Sequence, residues 1–370
     1  MRIVHVISGS GSILSANERY ALSLAAAQKK RGLSPMIITG SDGILIQACR
    51  EQQFPVAVVP GLKPAEKPPQ EEIIQGLIRQ YDSFDAQLIH CHYYATAMQA
   101  IAAANRTGVP CVLTVYDDEA IASGHYFDMC SEVGLKFSAI ALWRRDHELL
   151  KEYDLPEASL YYVPNGTQVP PPGTRFQESG DRHRPSLILA GDLIFRKGIH
   201  DAVLGMAELR RRLGPDCPTL TIYGDGDRAE YLKEMIYVAE LTDIIRFLGP
   251  QPDPLSCCAS TDILIMSSRV EAGPPIIQEA MSRGMPVVAT DVGEVADMLP
   301  DHRYGRVIPA GSIAALADAL ESLLADIASG KFDPQVSIDR HYSHYTLERM
   351  ADRIETIYSQ LDQQAPLSPL

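Results

Sequence analysis

The stretch SSRVEAGPPIIQEAMSRGMPVVATDVGE, residues 267–294, places two acids, Glu271 and Glu279, eight positions apart. Between them lie Gly273, Pro274 and Pro275, then Ile276 and Ile277. The apolar run PVVAT (286–290) reads as a strand, and so does DILIMS (262–267) before the acids. Pro274 and Pro275 suit the first turn of a helix and not its interior, which predicts a helix starting near Ile276. Glu271 then lies in the loop after one strand, and Glu279 about one turn into the helix. Carboxylates so placed accept hydrogen bonds from ligand hydroxyls, and the vicinal hydroxyls of a sugar and of a ribose would suit the pair. The same acids could instead satisfy free helix N–H groups.

The surroundings repeat this strand–helix rhythm. RIVHVIS (2–8) precedes a helical pattern at 16–32 and the strand MIITG (36–40), and AQLIHCH (86–92) precedes a helix at 95–108 and CVLTVY (111–116). After a Pro- and Gly-rich stretch at 165–185, the best linker candidate, alternation resumes with SLILAG (186–191), TLTIYG (219–224), IIRFLG (244–249), DILIMS and PVVAT. Near-continuous apolar strands separated by helices predict parallel sheets covered on both faces. The fold class expected is therefore α/β, with two Rossmann-like doubly wound domains, 1–168 and 169–344. Two such sheets facing each other would hold ligands at the carboxyl ends of their strands. A last amphipathic helix, 345–364, is expected to pack back on the first domain.

Length and composition agree. The chain has 370 residues, 46% of them hydrophobic and 22% charged, which fits two soluble domains. A formal net charge of -14 argues against a nucleic-acid partner, which needs a basic face. Seven cysteines without a CxxC point to a reduced, cytoplasmic protein with at most peripheral membrane contact. The N-terminal MRIVHVISGSGS reads as a strand and a loop.

Four further motifs matter. GSGSIL (9–14) has the first two glycines of a dinucleotide fingerprint but Leu14 in place of the third, and Asp42 could mimic the ribose-binding acid. His90 and His92 alternate along a strand and so share one face; a metal would need a third ligand, which the sequence does not show. GDLIFRKGIHDA (191–202) turns from strand into helix with Arg196 and Lys197 in the turn, a plausible phosphate site beside a helix N-terminus. GDGDR (224–228) is by itself only a turn signal.

Residues 269–293 resemble the E-x7-E segment of the retaining glycosyltransferases of family 4, which have the GT-B fold. Glu271, Gly273, Pro275, Glu279, Ala280, Met281, Gly284, Pro286, Val287, Val288 and Ala289 carry the resemblance. SANER (15–19), VPNG (163–166), GDLIFRKG (191–198), GDGDR and RFLG (246–249) follow in the family's order. The resemblance implies transfer of a sugar from a UDP- or GDP-linked donor to a carbohydrate, lipid-linked or small-molecule acceptor, with retention and without metal or cofactor. It implies that Glu271 contacts the transferred sugar, Glu279 the ribose, Lys197 the diphosphate and the main chain near Gly249 the base. Arg196, Gly273 and Ile276 complete the donor side. Ser12, Asn17, His92, Tyr116 and Asp117 make up the acceptor side.

The chain departs from the family pattern at three places. The arginine that accompanies Lys197 falls on Asp192, the histidine of T-V-H-D on Tyr116, and the double glycine on Ser15 and Ala16. A carboxylate about 6 Å from a phosphate charge costs roughly 3 kcal/mol at an effective dielectric of about 20, so Asp192 must turn away or alter donor binding. Arg196 is the expected substitute cation. Two alternatives remain at this point: a GT-B binding or scaffold subunit without turnover, and an NAD-dependent enzyme.

Overall fold

The computed structural model describes residues 1–8, 14–62, 70–92, 94–116, 125–153, 155, 157–168, 185–251, 253–256, 258–259 and 261–363. Ser12 and Asp117 lie outside them. The chain divides into two compact units. One comprises Met1–Asn165 with Leu347–Leu370, the other Gly166–Thr346.

The first unit is built on β1 (Arg2–Val6), β2 (Ser34–Thr39), β3 (Val56–Val58), β4 (Leu88–His92), β5 (Cys111–Val115), β6 (Ser138–Ala141) and β7 (Leu160–Tyr162). All pair in parallel, in the order β3-β2-β1-β4-β5-β6-β7. Every residue of β4 and β5 is buried, as expected for strands covered by helices on both faces. The helix Ala16–Lys30 starts at a reciprocal cap. The Ser15 hydroxyl accepts from the Glu18 N–H at 3.3 Å, and the Glu18 carboxylate accepts from the Ser15 N–H at 2.6 Å. Against this helix lies Leu347–Gln363, which buries Leu347, Met350, Ile354, Ile357, Tyr358 and Leu361 on one stripe. Arg31 ties the two together through Asp352 and, at 2.9 Å, Glu355.

The second unit holds β8 (Leu187–Ala190), β9 (Leu220–Tyr223), β10 (Ile245–Gly249), β11 (Ile263–Met266), β12 (Val287–Thr290) and β13 (Arg306–Ile308). Their order, β10-β9-β8-β11-β12-β13, is again all parallel. The helices Ile199–Leu213 and Ile313–Ala328 pack together at Gly205, where an added Cβ would come within 2.6 Å of Leu316 Cδ2. Each unit has its own apolar core. The strand order reverses between β1 and β4 in one sheet and between β8 and β11 in the other. In open parallel sheets such a switch point opens a crevice at the carboxyl ends of the strands. No described helix is long and apolar enough to cross a membrane.

Candidate active site

The β8/β11 switch point gathers the acids and cations singled out in the sequence. β8 ends at Ala190, and the chain runs through Gly191 and the short turn Phe195–Lys197 into the helix Ile199–Leu213. β11 ends at Met266, and its loop brings Glu271 back over that turn. The Lys197 ammonium donates to the Glu271 carboxylate, which also accepts from the Ser268 hydroxyl at 3.1 Å. The Glu271 side chain is 12% exposed and that of Lys197 23%. The pair is thus largely out of water, where mutual charge counts for more than on an open surface. The Arg196 guanidinium lies 4.0 Å from the same carboxylate and is 53% exposed. Ala190, Gly191, Lys197, Ser267, Glu271 and Ile276 line a recess of about 30 Å³.

Backbone contacts fix the two loops on one another. The Arg269 N–H donates to Arg196 O at 2.7 Å, and the Arg269 guanidinium grips Asp201 with two bonds of 2.9 Å. Its face lies 5.0 Å over the Phe195 ring. Gly198, at φ +61, is the pivot: a Cβ there would sit 2.0 Å from the Ser267 carbonyl oxygen. Gly198→Ala must therefore move the β11 end as well as accept a left-handed backbone, which alone costs about 1–3 kcal/mol. With roughly 2–4 °C per kcal/mol for a unit of this size, the calorimetric unfolding temperature should fall by at least about 5 °C. Gly330, at φ +69 with nothing within 4 Å, is the control. Equal losses in Gly198→Ala and Gly330→Ala would remove close packing as the reason.

Glu279 lies in the helix Pro275–Ser282, which begins one residue before the expected Ile276. It is half-buried, and burial pushes its carboxyl up; Arg283 pulls it down and Asp253 pushes it further up. Arg283 is held by Asp253 at 2.7 Å. Gly293 lets the turn after β12 close under the Glu271 loop, since a Cβ would meet the Ala272 carbonyl oxygen at 2.0 Å. The Glu294 N–H donates to that same oxygen at 2.8 Å. Gly249 ends β10 at φ +70 with open space where a side chain would be. Asp192 is exposed.

On the first sheet the switch point holds a stack of imidazoles. Asn17 is half-buried in the first helix, and Tyr116 half-buried just past β5. His92, expected on the acceptor side, is the last residue of β4 and is fully buried; its Nδ1 lies 3.0 Å from the Tyr116 hydroxyl. Beside it lie His90 and His5, the third imidazole that the sequence did not reveal. Their ring nitrogens come within 4.8 Å of one another. Every one of these nitrogens already has a partner. His5 bonds His92 Nε2 and Gln28 Oε1, both at 2.8 Å; His90 bonds the Tyr358 hydroxyl and, at 2.6 Å, the Thr114 hydroxyl. His90 and His92 stack with centroids 4.1 Å apart, whereas His5 meets His92 edge to edge through their bonded nitrogens, so a metal would have to displace these hydrogen bonds. Burial drives His5 down to about 4 and His90 and His92 well below the usual imidazole value.

A larger cavity of about 530 Å³ lies at the opposite, amino end of β5 and β6, lined by residues such as Cys111, Phe127, Phe137, Tyr153 and Leu361. It holds none of the acids and cations described above. Chemistry, not size, places the candidate site at the carboxyl edge.

Two recognised sequence patterns cover most of the chain: a glycosyl transferase 4-like domain over residues 17–166 and glycosyl transferases group 1 over residues 174–331. D-inositol 3-phosphate glycosyltransferase of Corynebacterium urealyticum is 24% identical over 370 residues, covering 90% of this chain and 84% of that protein. Glycogen synthase of Mycobacterium tuberculosis is 23% identical over 294 residues, covering 75% and 69%. The crystal structure of Anabaena Alr3699/HepE in complex with UDP superposes with a TM-score of 0.79 at 16% identity, covering 97% and 100%. The two parallel-sheet units define the GT-B class of glycosyltransferase. Within it, the chain belongs to family 4. That membership replaces the NAD-dependent alternative.

Proposed function

We propose that the protein transfers a hexose from a nucleotide diphosphate sugar to an acceptor hydroxyl with retention of anomeric configuration, and that the second unit binds the donor. The observation that carries this reading is the Lys197–Glu271 pair at the β8/β11 switch point, beside the N-terminus of Ile199–Leu213. In this reading the anomeric carbon parts from the diphosphate oxygen as the acceptor oxygen bonds to the same face. The acceptor's proton leaves with the diphosphate. Negative charge then grows on the diphosphate, where fixed cations and helix N–H groups stabilise it. Lys197, Arg196 and the helix end supply that charge, so no metal is required. Undiminished transfer after exhaustive chelation checks this.

Glu271 takes hydroxyls of the transferred sugar and Glu279 those of the ribose, with Gly273 and Ile276 at the helix entrance and Gly249 beside the base. Glu279→Ala should weaken free UDP or GDP about tenfold or more by calorimetric titration, whereas Glu271→Ala should spare the free nucleotide. Equal losses would contradict this division. A diphosphate carries about two negative charges and a helix end offers roughly half a positive charge, so a second cation beside Lys197 is needed. Arg196→Ala should accordingly raise the donor KM about tenfold with kcat less affected; an unchanged KM would leave Arg196 a solvent residue.

The donor base is open between UDP, named in the HepE complex, and GDP, named in a 30% identical mannosyltransferase relative from Mycobacterium tuberculosis. A thermal-shift panel of UDP-, GDP- and ADP-sugars decides it, because a ligand at 100 times its Kd stabilises by about 2.7 kcal/mol. The first unit holds the acceptor in this reading, with Asn17 and Tyr116 at its edge. Tyr116 and Asp192, where the family has histidine and arginine, favour a second reading as a binding subunit without turnover. Donor hydrolysis or transfer by the purified chain excludes it.

A further inference from the structure

The histidine stack has a direction, and we propose that Gln28 sets it, so that His5, His90 and His92 are all Nε2–H tautomers and the Tyr116 hydroxyl presents only lone pairs to a ligand. All three histidines, Gln28 and Thr114 are fully buried, and Tyr358 is nearly so. A neutral imidazole has one donor and one acceptor nitrogen, so one assignment propagates through a chain of bonded rings.

Gln28 provides that assignment. Its Oε1 lies 2.8 Å from His5 Nε2, and its Nε2 lies 3.3 Å from the Tyr358 hydroxyl. A carbonyl oxygen only accepts, so His5 carries its proton on Nε2 and accepts on Nδ1. The atom facing Nδ1 is His92 Nε2, at 2.8 Å, which must then donate. His92 Nδ1 is left as an acceptor, and its partner is the Tyr116 hydroxyl at 3.0 Å. That hydroxyl therefore spends its proton inward.

The second branch agrees. The Gln28 amide donates to the Tyr358 oxygen, so the Tyr358 proton is free for His90 Nδ1. His90 must then carry its own proton on Nε2 and donate to the Thr114 hydroxyl, 2.6 Å away. Turning the amide over reverses every bond: all three rings become Nδ1–H, and the Tyr116 proton points away from His92. The network thus has two self-consistent polarities, and mixed states leave two donors or two lone pairs facing each other in a dry site, which is costly.

The consequence concerns specificity. The oxygen of Tyr116 can accept from a ligand hydroxyl but has no proton for a ligand carbonyl or phosphate. This fits a polyol acceptor, and that part rests on the proposed role of the first unit. Gln28, His5 and His92 are positioning residues in this scheme, acting through Tyr116.

Long-range nitrogen–proton NMR on protein labelled at histidine reads each tautomer directly, without any reaction. The expected result is the Nε2–H pattern for His5, His90 and His92. Tyr116→Phe should leave that pattern intact, because the direction comes from the Gln28 end, whereas Gln28→Leu should convert His5 and His92 to mixed tautomers. Nδ1–H at His5 or His92 in the wild type would overturn the proposal. So would a pattern that changes in Tyr116→Phe and persists in a folded Gln28→Leu. An Nε2–H pattern in a protein without transfer activity would count against the proposed function and leave the relay standing.

Discussion

Lys197→Ala is expected to lower the rate of sugar transfer by about 10²- to 10³-fold, the loss that follows removal of one preorganised group from a developing oxyanion. The site gives this lysine no equivalent replacement. Arg196 is more than half exposed and 4.0 Å from Glu271, while Arg269 is committed to Asp201. Glu271→Ala should be comparably severe for transfer, since in the proposed reading its carboxylate contacts the transferred sugar, while the bound diphosphate itself orients the ammonium. The two losses should not add in full, because the side chains are in contact and act on one transition state, so the double variant should fall short of the product of the two single losses. Single-turnover rates at saturating donor measure this. A kcat for Lys197→Ala within a few-fold of wild type would dismiss the lysine from the chemistry.

Acid should weaken the first unit well before its carboxylates titrate. His5, His90 and His92 are buried neutral, with His5 lowered to about 4. Above pH 6.5 neither the folded nor the unfolded chain protonates them, and they contribute nothing to the pH dependence. Below it the unfolded chain takes up protons that the folded chain refuses, so stability falls as pH falls. At about 1.4 kcal/mol per pH unit, His5 alone removes about 3 kcal/mol between pH 6.5 and 4. His90 and His92 steepen the decline in the same window. Denaturant unfolding followed in the first unit between pH 7 and 4 should show this slope, and His5→Gln should reduce it. A flat profile down to pH 5 would mean that the rings are charged in the folded state.

The sheets were legible because their strands are short, apolar and regularly spaced. DILIMS and PVVAT became β11 and β12 almost residue for residue. The prolines placed the start of the helix bearing Glu279 to within one residue. β7 and β13, at three residues each, are too short to show a period; neighbouring strands define them. Lys197 and Glu271 were each legible as candidate ligand-binding residues, but their direct pairing was not foreseen, since 74 residues separate the partners. The grip of Arg269 on Asp201 left no signal. A lone histidine in RIVHVIS looks like any strand residue, and its partnership with His92 spans 87 positions. One signal was present and unused: Ser15 followed by Glu18 spells the cap of the first helix. Of the linker at 165–185, residues 165–168 and 185 are described, and Thr167 pairs with Thr346.

The first unit is assembled from two stretches of chain separated by the whole of the second. During synthesis the second unit, continuous in sequence, can complete its core as soon as it emerges. The first cannot, because Tyr358 and the apolar stripe of Leu347–Gln363 are still to come. Until then Gln28 and His90 lack their common partner, and the nascent sheet carries an uncovered helix face. The core of the first unit therefore closes only once Leu347–Gln363 has packed on Ala16–Lys30 and Tyr358 has reached Gln28 and His90.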